Sequence, residues 1–569
     1  MMGLCLVILG MWTACDDSAA RPEPARSVRL EDITEREALN TERICLIGVD
    51  ALTWDILDPM IRSGALPNFK GLLERGASGK FSPADDRLYS PRIWTSIATG
   101  KTADKHGIEF FLIDPHNARH TGKTAGSDLR RCLALWNILA HFNKDVLVSN
   151  YMVTWPAEKI SGTIYSDYFY MDRGTYPASE QAALQADYMK KENRDLHSQR
   201  LIDRFCPWYD GRRETDDLSR SEGIKLDNLL NCLRRDEITL EASLERIRRQ
   251  PPDVSMIYLR SVDIGCHFYW KYSQLPKDDP RLNGLERGIE RFGDMIPELY
   301  RWADEALGRI VDVFPENTTF ILVSDHGFQT HFNDLRGYNL INLIQETGIG
   351  CLTEDDRNVP VVTDTADPID PSRRISLIDD RVDAYTVETG IPREKIVEDV
   401  LNRLAEIQTD SGKPVVRVQP VENLKVMNNE EMPAGSVRFN LTLTPDDTLT
   451  INNRQITIEK YIQFLEQSGN HDPTAVIIAA GPHVRRGKTI RDARALDVTP
   501  TILTLMDIPV ADDMDGRPLT GIFEPDTWQI HPLTSIDTFE GKIPREIQEM
   551  PENSRPQIIQ ELKAIGYVQ

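Results

Sequence analysis

RICLIGVD, residues 43–50, is a short β-rich apolar run that ends on a carboxylate, Asp50. Three other segments follow a related plan. VSMIYLRSVDIGCH (254–267) carries Asp263 and His267, and TTFILVSDHG (318–327) carries Asp325 and His326. In GNHDPTAVIIAAG (469–481), His471 precedes its apolar run instead of following it. Between the first and second segments lies YSPRIWTSIATG (89–100), with Ser90 as candidate nucleophile. Runs of this kind predict an α/β fold with a mostly parallel central sheet flanked by helices, whose sites lie beyond the strand ends. Asp and His gathered there from distant segments point to a dinuclear metal hydrolase.

The rest of the composition is compatible with that expectation. The chain has 569 residues, 40% of them apolar and 27% charged, an ordinary globular balance and enough length for a large core or several domains. A formal net charge of -23 argues against a nucleic-acid polymer as partner. It is compatible with a phosphorylated small substrate, because divalent cations would dominate the local field.

The N-terminus reads separately from the fold. Leu4 to Met11 is apolar but too short to span a bilayer, and a polar, Pro-containing linker follows it. That pattern predicts an export signal. Thr13-Ala14-Cys15 resembles the end of a bacterial lipoprotein signal, which implies a lipid on Cys15 and a periplasmic or cell-surface protein tethered to a membrane. The six other cysteines beyond Cys5 form no CxxC pair, so zinc-ribbon and redox motifs are unsupported. Cys45 reads as a small core residue, and an exported chain could pair some of the rest.

Along the chain, helices are predicted near Thr53 to Arg62, Phe69 to Arg75 with a C-cap at Gly76, Ser221 to Arg249, and Ile296 to Val313. Pro91 places Ser90 at a helix N-terminus, where backbone N–H groups and the dipole favour an anionic group. The organisation expected is an export segment and linker at 1–40 and a catalytic domain at 41–350 and 466–530. That domain would carry a cap insertion at about 150–220, a second, inserted α+β cap segment would span 351–465, and 531–569 would form a C-terminal tail. The aromatic stretch Tyr165 to Tyr176 reads as loop packing or the lining of a cleft. IPREKIVEDVLNRLAEIQ (391–408) reads as an amphipathic helix and SVRFNLTLTPDDTLTINNRQITI (436–458) as antiparallel strands.

The order Asp50, Ser90, Asp263-x3-His267, Asp325-His326, His471 resembles the alkaline phosphatase superfamily, and within it the type I phosphodiesterase/nucleotide pyrophosphatase family. WTSIATGKTADKHGI (94–108) and DVTPTILTLMDIPVADDMDGRPL (497–519) are similar to segments of that family, as is the terminal LKAIGYV. The resemblance covers about 42–115, 255–335 and 468–522. It implies an alkaline-phosphatase-like fold and two divalent metal ions, zinc or alternatively manganese. Asp50, Asp325 and His326 would hold one ion, in contact with the Ser90 oxygen, and Asp263, His267 and His471 the other. The implied reaction is hydrolysis of a phosphate ester, most simply a phosphodiester, through a phosphoseryl intermediate on Ser90.

Where the family carries an Asn three residues after its nucleophile, this chain has Ile93, which cannot donate a hydrogen bond, and the neighbouring Arg92 is the candidate phosphate clamp. The sulfatase signature Cys/Ser-x-Pro-x-Arg is not matched, because Ser90-Pro91-Arg92 has the wrong spacing. Phosphomonoesterase and sulfatase-like chemistry on the same fold stay open, as does a catalytically silent protein that binds a phospho-ligand. Oligomeric state is not legible. An Asp after a strand is ordinarily a cap or turn residue and Ser-Pro an ordinary N-cap pair, so the set and its order carry the argument. His106, His331 and His483 read as structural or loop residues.

Overall fold

The computed structural model describes residues 25–33, 42–83, 87–113, 123–189, 199–209, 220–275, 282, 285–330, 336–338, 340–354, 357–366, 373–418, 437–441, 448–451, 454–457, 462–464, 469–550 and 555–564. Its centre is a nine-stranded sheet. From edge to edge the strands are Thr489–Arg494, Gly76–Ser82, Ala475–Ala480, Thr318–Val323, Arg43–Val49, Val254–Leu259, Val146–Ser149, Gly162–Tyr165 and Thr175–Tyr176. Two of the nine, Ala475–Ala480 and Thr175–Tyr176, run against their neighbours; the others are parallel. The fold is therefore α/β with a mostly parallel sheet.

The apolar runs behave as central strands should. Val254–Leu259, Thr318–Val323 and Ala475–Ala480 are buried at every residue, because helices cover both faces of the sheet. Ser261–Ser273 packs on Met295–Val313, which also packs on Pro67–Glu74 and on Arg220–Arg249. Thr53 accepts from the Asp55 N–H and starts the helix Trp54–Arg62.

Four expectations need correction. Gly76 is not a C-cap: Arg75 is, and Gly76 opens a strand. The glycine is required because a Cβ there would lie 2.0 Å from the Ala479 carbonyl oxygen of the neighbouring strand. The stretch at about 150–220 is not wholly a cap insertion, since Gly162–Tyr165 and Thr175–Tyr176 extend the central sheet. Tyr165, Tyr168, Phe169 and Tyr170 are buried in the main core, so the aromatic stretch is core packing and its large apolar area drives it inward. The described part of the supposed tail at 531–569 is also built in: Thr534–Ile536 pairs with Arg26–Ser27 and Val510–Ala511, and Phe539, Ile543, Ile558 and Leu562 are buried.

A second hydrophobic cluster, separate from the main core, includes Leu343, Ile344, Val382, Tyr385, Val400, Leu401 and Ile456. It contains the helix Arg393–Glu406, entered through Pro392, and the antiparallel hairpin Thr448–Ile451 with Arg454–Thr457. Cys45, Cys132, Cys206, Cys232, Cys266 and Cys351 are all free thiols. Among the described residues no helix is long and apolar enough to cross a membrane. The expected export segment, Cys15 and His331 lie outside the described residues.

Candidate active site

Asp50 follows the last residue of Arg43–Val49, and its N–H still donates to the Leu259 carbonyl at 3.0 Å. The next residue, Ala51, has a positive φ of 63°, so the chain turns away and leaves the carboxylate at the strand's end. Asp325 and His326 follow the strand Thr318–Val323 after one residue, Ser324. Asp263 and His267 are on a helix, Ser261–Ser273, that begins directly after the strand Val254–Leu259. Their i, i+4 spacing puts both side chains on one helix face. His471 lies on a two-stranded ribbon, Gly469–Asp472 with Gly327–Thr330, where it pairs with Phe328. Because Ala475–Ala480 is antiparallel, its N-terminal end meets the C-terminal ends of its neighbours. That reversal explains why His471 precedes its apolar run.

All six candidate ligands and Ser90 come together as two adjoining clusters that share His326. In the first, His326 Nε2 lies 3.5 Å from Asp50 Oδ1, 3.3 Å from Asp325 Oδ2 and 3.3 Å from Ser90 Oγ. In the second, Asp263 Oδ1 lies 3.3 Å from His267 Nε2 and 3.5 Å from His471 Nε2, and the two Nε2 atoms are 2.9 Å apart. The His326 and His471 rings stack at 3.6 Å between centroids. Each of these two rings is oriented from behind. His326 Nδ1 lies 3.0 Å from the Gly327 carbonyl and His471 Nδ1 lies 2.6 Å from the Leu88 carbonyl. A carbonyl only accepts, so each Nδ1 carries a proton, and in the neutral ring that ligates a cation each Nε2 would turn a lone pair into the site.

The electrostatics are those of a cation site. Asp50, Ser90, Asp263, Asp325 and His326 are essentially inaccessible to solvent. Among the described residues no hydrogen bond reaches Asp50 Oδ1 or either oxygen of Asp325. Burial, and then the charges on Asp325 and Asp263, push the Asp50 carboxyl well above its usual range. Burial would also raise Asp263, but the His267 and His471 imidazoles outweigh it and hold that carboxyl well below the carboxylate range. Burial pushes His326 down to about 4, so its ring is neutral and able to ligate. Three buried carboxylates with imidazole lone pairs aimed among them fit divalent cations. The ligand atoms of Asp50, Asp325 and His326, and those of Asp263, His326 and His471, lie within 4.8 Å of one another.

Ser90 is the first residue of the helix Ser90–Thr99 and is buried. The N–H groups of Arg92 and Ile93 both donate to the Tyr89 carbonyl, and Pro91 has none. The helix therefore offers an anion mainly its dipole, less than the Ser-Pro start implied. Arg92 Nη1 lies 3.3 Å from Glu109 Oε2, a carboxylate it shares with Arg87 at 2.7 Å. Ile93 is buried. His106 is a structural residue: its Nε2 lies 3.0 Å from Ser96 Oγ and its Nδ1 accepts from the Ile108 N–H. Burial and the Arg92 and Arg130 charges push its pKa down to about 3.

Two positioning residues escaped the sequence. The Tyr258 hydroxyl donates to Asp50 Oδ2, and Trp94 Nε1–H points at the same oxygen from 3.4 Å. Both rings also pack on each other, with centroids 4.8 Å apart. Trp94 follows Ser90 by four residues, one helical turn, which is the only signal that could have marked it.

A family model described as type I phosphodiesterase / nucleotide pyrophosphatase matches residues 44–478. No curated protein matches the chain. Among solved structures, human ectonucleotide pyrophosphatase/phosphodiesterase 5 is similar at 14% identity, covering 82% of this chain and 95% of that one, with a TM-score of 0.40. An inactive form of the murine protein in complex with AMP aligns at 13% identity over 82% and 95%, also at 0.40. Phosphonoacetate hydrolase from Sinorhizobium meliloti 1021, in complex with phosphonoformate, aligns at 14% identity over 80% and 94%, again at 0.40. The match to the family model spans most of the chain, and the chain belongs to the type I phosphodiesterase / nucleotide pyrophosphatase family, a group of metal-dependent phosphoric ester hydrolases.

Proposed function

We propose that the protein is a two-metal phosphodiesterase that transfers the phosphoryl group of its substrate to Ser90 before water releases it. The observation that carries this reading is Ser90 Oγ, 3.3 Å from the shared ligand His326 at the junction of the two clusters. Asp50, Asp325 and His326 would hold one ion, and Asp263, His267 and His471 the other. When bound, the two ions would supply charge neutralisation for the three carboxylates, a lowered hydroxyl pKa on Ser90 and polarisation of the phosphoryl oxygens. A donor set of carboxylates and imidazoles suits zinc, with manganese the alternative.

Ser90 Oγ, freed of its proton, attacks phosphorus, and the bond to the leaving group breaks as the new P–O bond forms, the departing alkoxide taking up a proton in place of the one the serine gave up. Water then cleaves the phosphoserine and returns the proton to Ser90. The buried site holds the serine in one place and keeps bulk solvent from its oxygen. A diester carries one negative charge at neutral pH and a monoester about two. Arg92 already shares Glu109 with Arg87, and Ile93 offers no donor, which favours the less charged substrate. Arg92 remains the proposed clamp for a phosphoryl oxygen, released from Glu109 when substrate arrives.

The test compares hydrolysis of bis-p-nitrophenyl phosphate, p-nitrophenyl phosphate and p-nitrophenyl sulfate by metal-analysed protein, with and without chelator. The diester is expected to turn over fastest and to stop on chelation. Dominant monoester or sulfate turnover would overturn the substrate class, and turnover indifferent to chelator would overturn the metal chemistry. The reading includes an exported protein, periplasmic or at the cell surface, tethered by lipid on Cys15, as the N-terminal signal implies. Cys15→Ser should release it from the membrane fraction.

A further inference from the structure

Glu42, His483 and His531 form a third cluster of metal-type ligands, remote from the other two. Glu42 immediately precedes the strand Arg43–Val49, whose far end carries Asp50. At about 3.3 Å per residue, the seven-residue strand separates the two places by roughly 23 Å. His483 follows Ala475–Ala480, the antiparallel strand, and so arrives at this same opposite edge. His531 comes from the segment after the helix Thr527–Ile530.

The geometry is that of a carboxylate shared by two imidazoles. Glu42 Oε1 lies 2.8 Å from His483 Nε2 and 3.3 Å from His531 Nε2. Ligands about 2.0–2.1 Å from a tetrahedral ion stand roughly 3.3 Å from one another, so these separations are near those of a coordination shell. Behind the cluster, His531 Nδ1 lies 2.9 Å from Asp507 Oδ1. A carboxylate behind a histidine is the usual outer partner of a metal-ligating imidazole, fixing the ring and raising its basicity. His531 is buried, and its Nε2 faces Glu42 Oε1 at 3.3 Å with no well-aligned hydrogen bond among the described residues. Its protonated form is held up to about 9: burial lowers the pKa, but Asp507 and Glu42 more than offset it. A proton and a cation therefore compete for Nε2.

We propose that Glu42, His483 and His531 form a structural site for one divalent cation, zinc by its N2O donor set, with Asp507 positioning His531. Such an ion would join three segments: the start of the strand Arg43–Val49, the loop after the antiparallel strand and the C-terminal stretch. That stretch runs on through Leu533, whose carbonyl accepts from the Arg26 N–H, and Thr534–Ile536, which pairs with Arg26–Ser27.

The experiment is metal analysis of the full-length protein and of His483→Ala and Glu42→Gln, each equilibrated with the same buffered free zinc. Glu42→Gln keeps the side-chain volume, and His483 is partly exposed, so either substitution spares the core. Each variant is expected to hold one ion per chain fewer than the wild type and to keep wild-type diester hydrolysis. Equal metal content in the wild type and both variants would overturn the site and leave the cluster as an ion pair. The readout is a difference of one ion, so it stands or falls independently of how many ions the catalytic clusters hold.

Discussion

His326 is the residue on which the site turns, because its two ring nitrogens have opposite duties. Nδ1–H donates to the Gly327 carbonyl at 3.0 Å, leaving Nε2 to face Asp50, Asp325 and Ser90. Asp50 depends in the same way on a residue behind it, since the Tyr258 hydroxyl donates to its Oδ2. Losing an outer partner of this kind typically costs about 10–100-fold in metal affinity. Tyr258→Phe is therefore expected to weaken metal binding by about that factor while the ring's packing on Trp94 persists. Unchanged affinity in a metal titration would contradict the role. The convergence of the six candidate ligands and Ser90 was legible in the sequence because metal chemistry admits few residue types and they fall at the borders of apolar runs. Tyr258 and Trp94 were not, since an aromatic inside an apolar strand or helix looks like core until its tertiary neighbour is known.

At the scale of elements, the site depends on how closely Arg43–Val49 approaches the helix Ser90–Thr99. A Cβ on Gly48 would lie 2.6 Å from the Trp94 ring, so glycine is what lets that ring settle beside Asp50. Gly48→Ala should cost about 1–3 kcal/mol, typical of overpacking, and should weaken metal binding as well. Chemical denaturation checks the first effect, and stability equal to wild type would refute the close-approach argument. The long helices were readable from their periodicity and prolines, and Arg220–Arg249, Met295–Val313 and Arg393–Glu406 begin and end near the expected residues. Gly162–Tyr165 and Thr175–Tyr176 were not, because they are too short to show alternation. Gly76 misled for a physical reason: glycine after a helix signals a C-cap, and a glycine demanded by strand contact looks the same in sequence.

Across the whole molecule, the last hundred residues fasten to the first two hundred through buried charge. Glu158 accepts from Arg130 Nη2 at 2.8 Å, from Arg545 Nε at 2.6 Å and from Trp136 Nε1 at 2.7 Å. Arg545 also donates to the Arg130 and Ser127 carbonyls. Burial would raise the Glu158 pKa, but the two guanidiniums together hold it down to about 2. The folded value is below the unfolded one of about 4.5, so the contribution is fully present above pH 4.5 and lost as pH falls through about 2. It is of the order of 3 kcal/mol. Glu158→Gln should therefore flatten the loss of stability between pH 4.5 and 2, as read by thermal unfolding across that range, and an unchanged acid limb would refute it. None of this was visible in sequence, because an ion pair between residues 158 and 545 leaves no local pattern. The central claim is hydrolysis by Ser90 within a metal site, and Ser90→Ala tests it most directly, with diester turnover and bound metal measured on the same preparation. The account predicts that turnover falls by about 10,000-fold or more while the metal content stays that of the wild type. Turnover near the wild-type rate with the metals in place would contradict it.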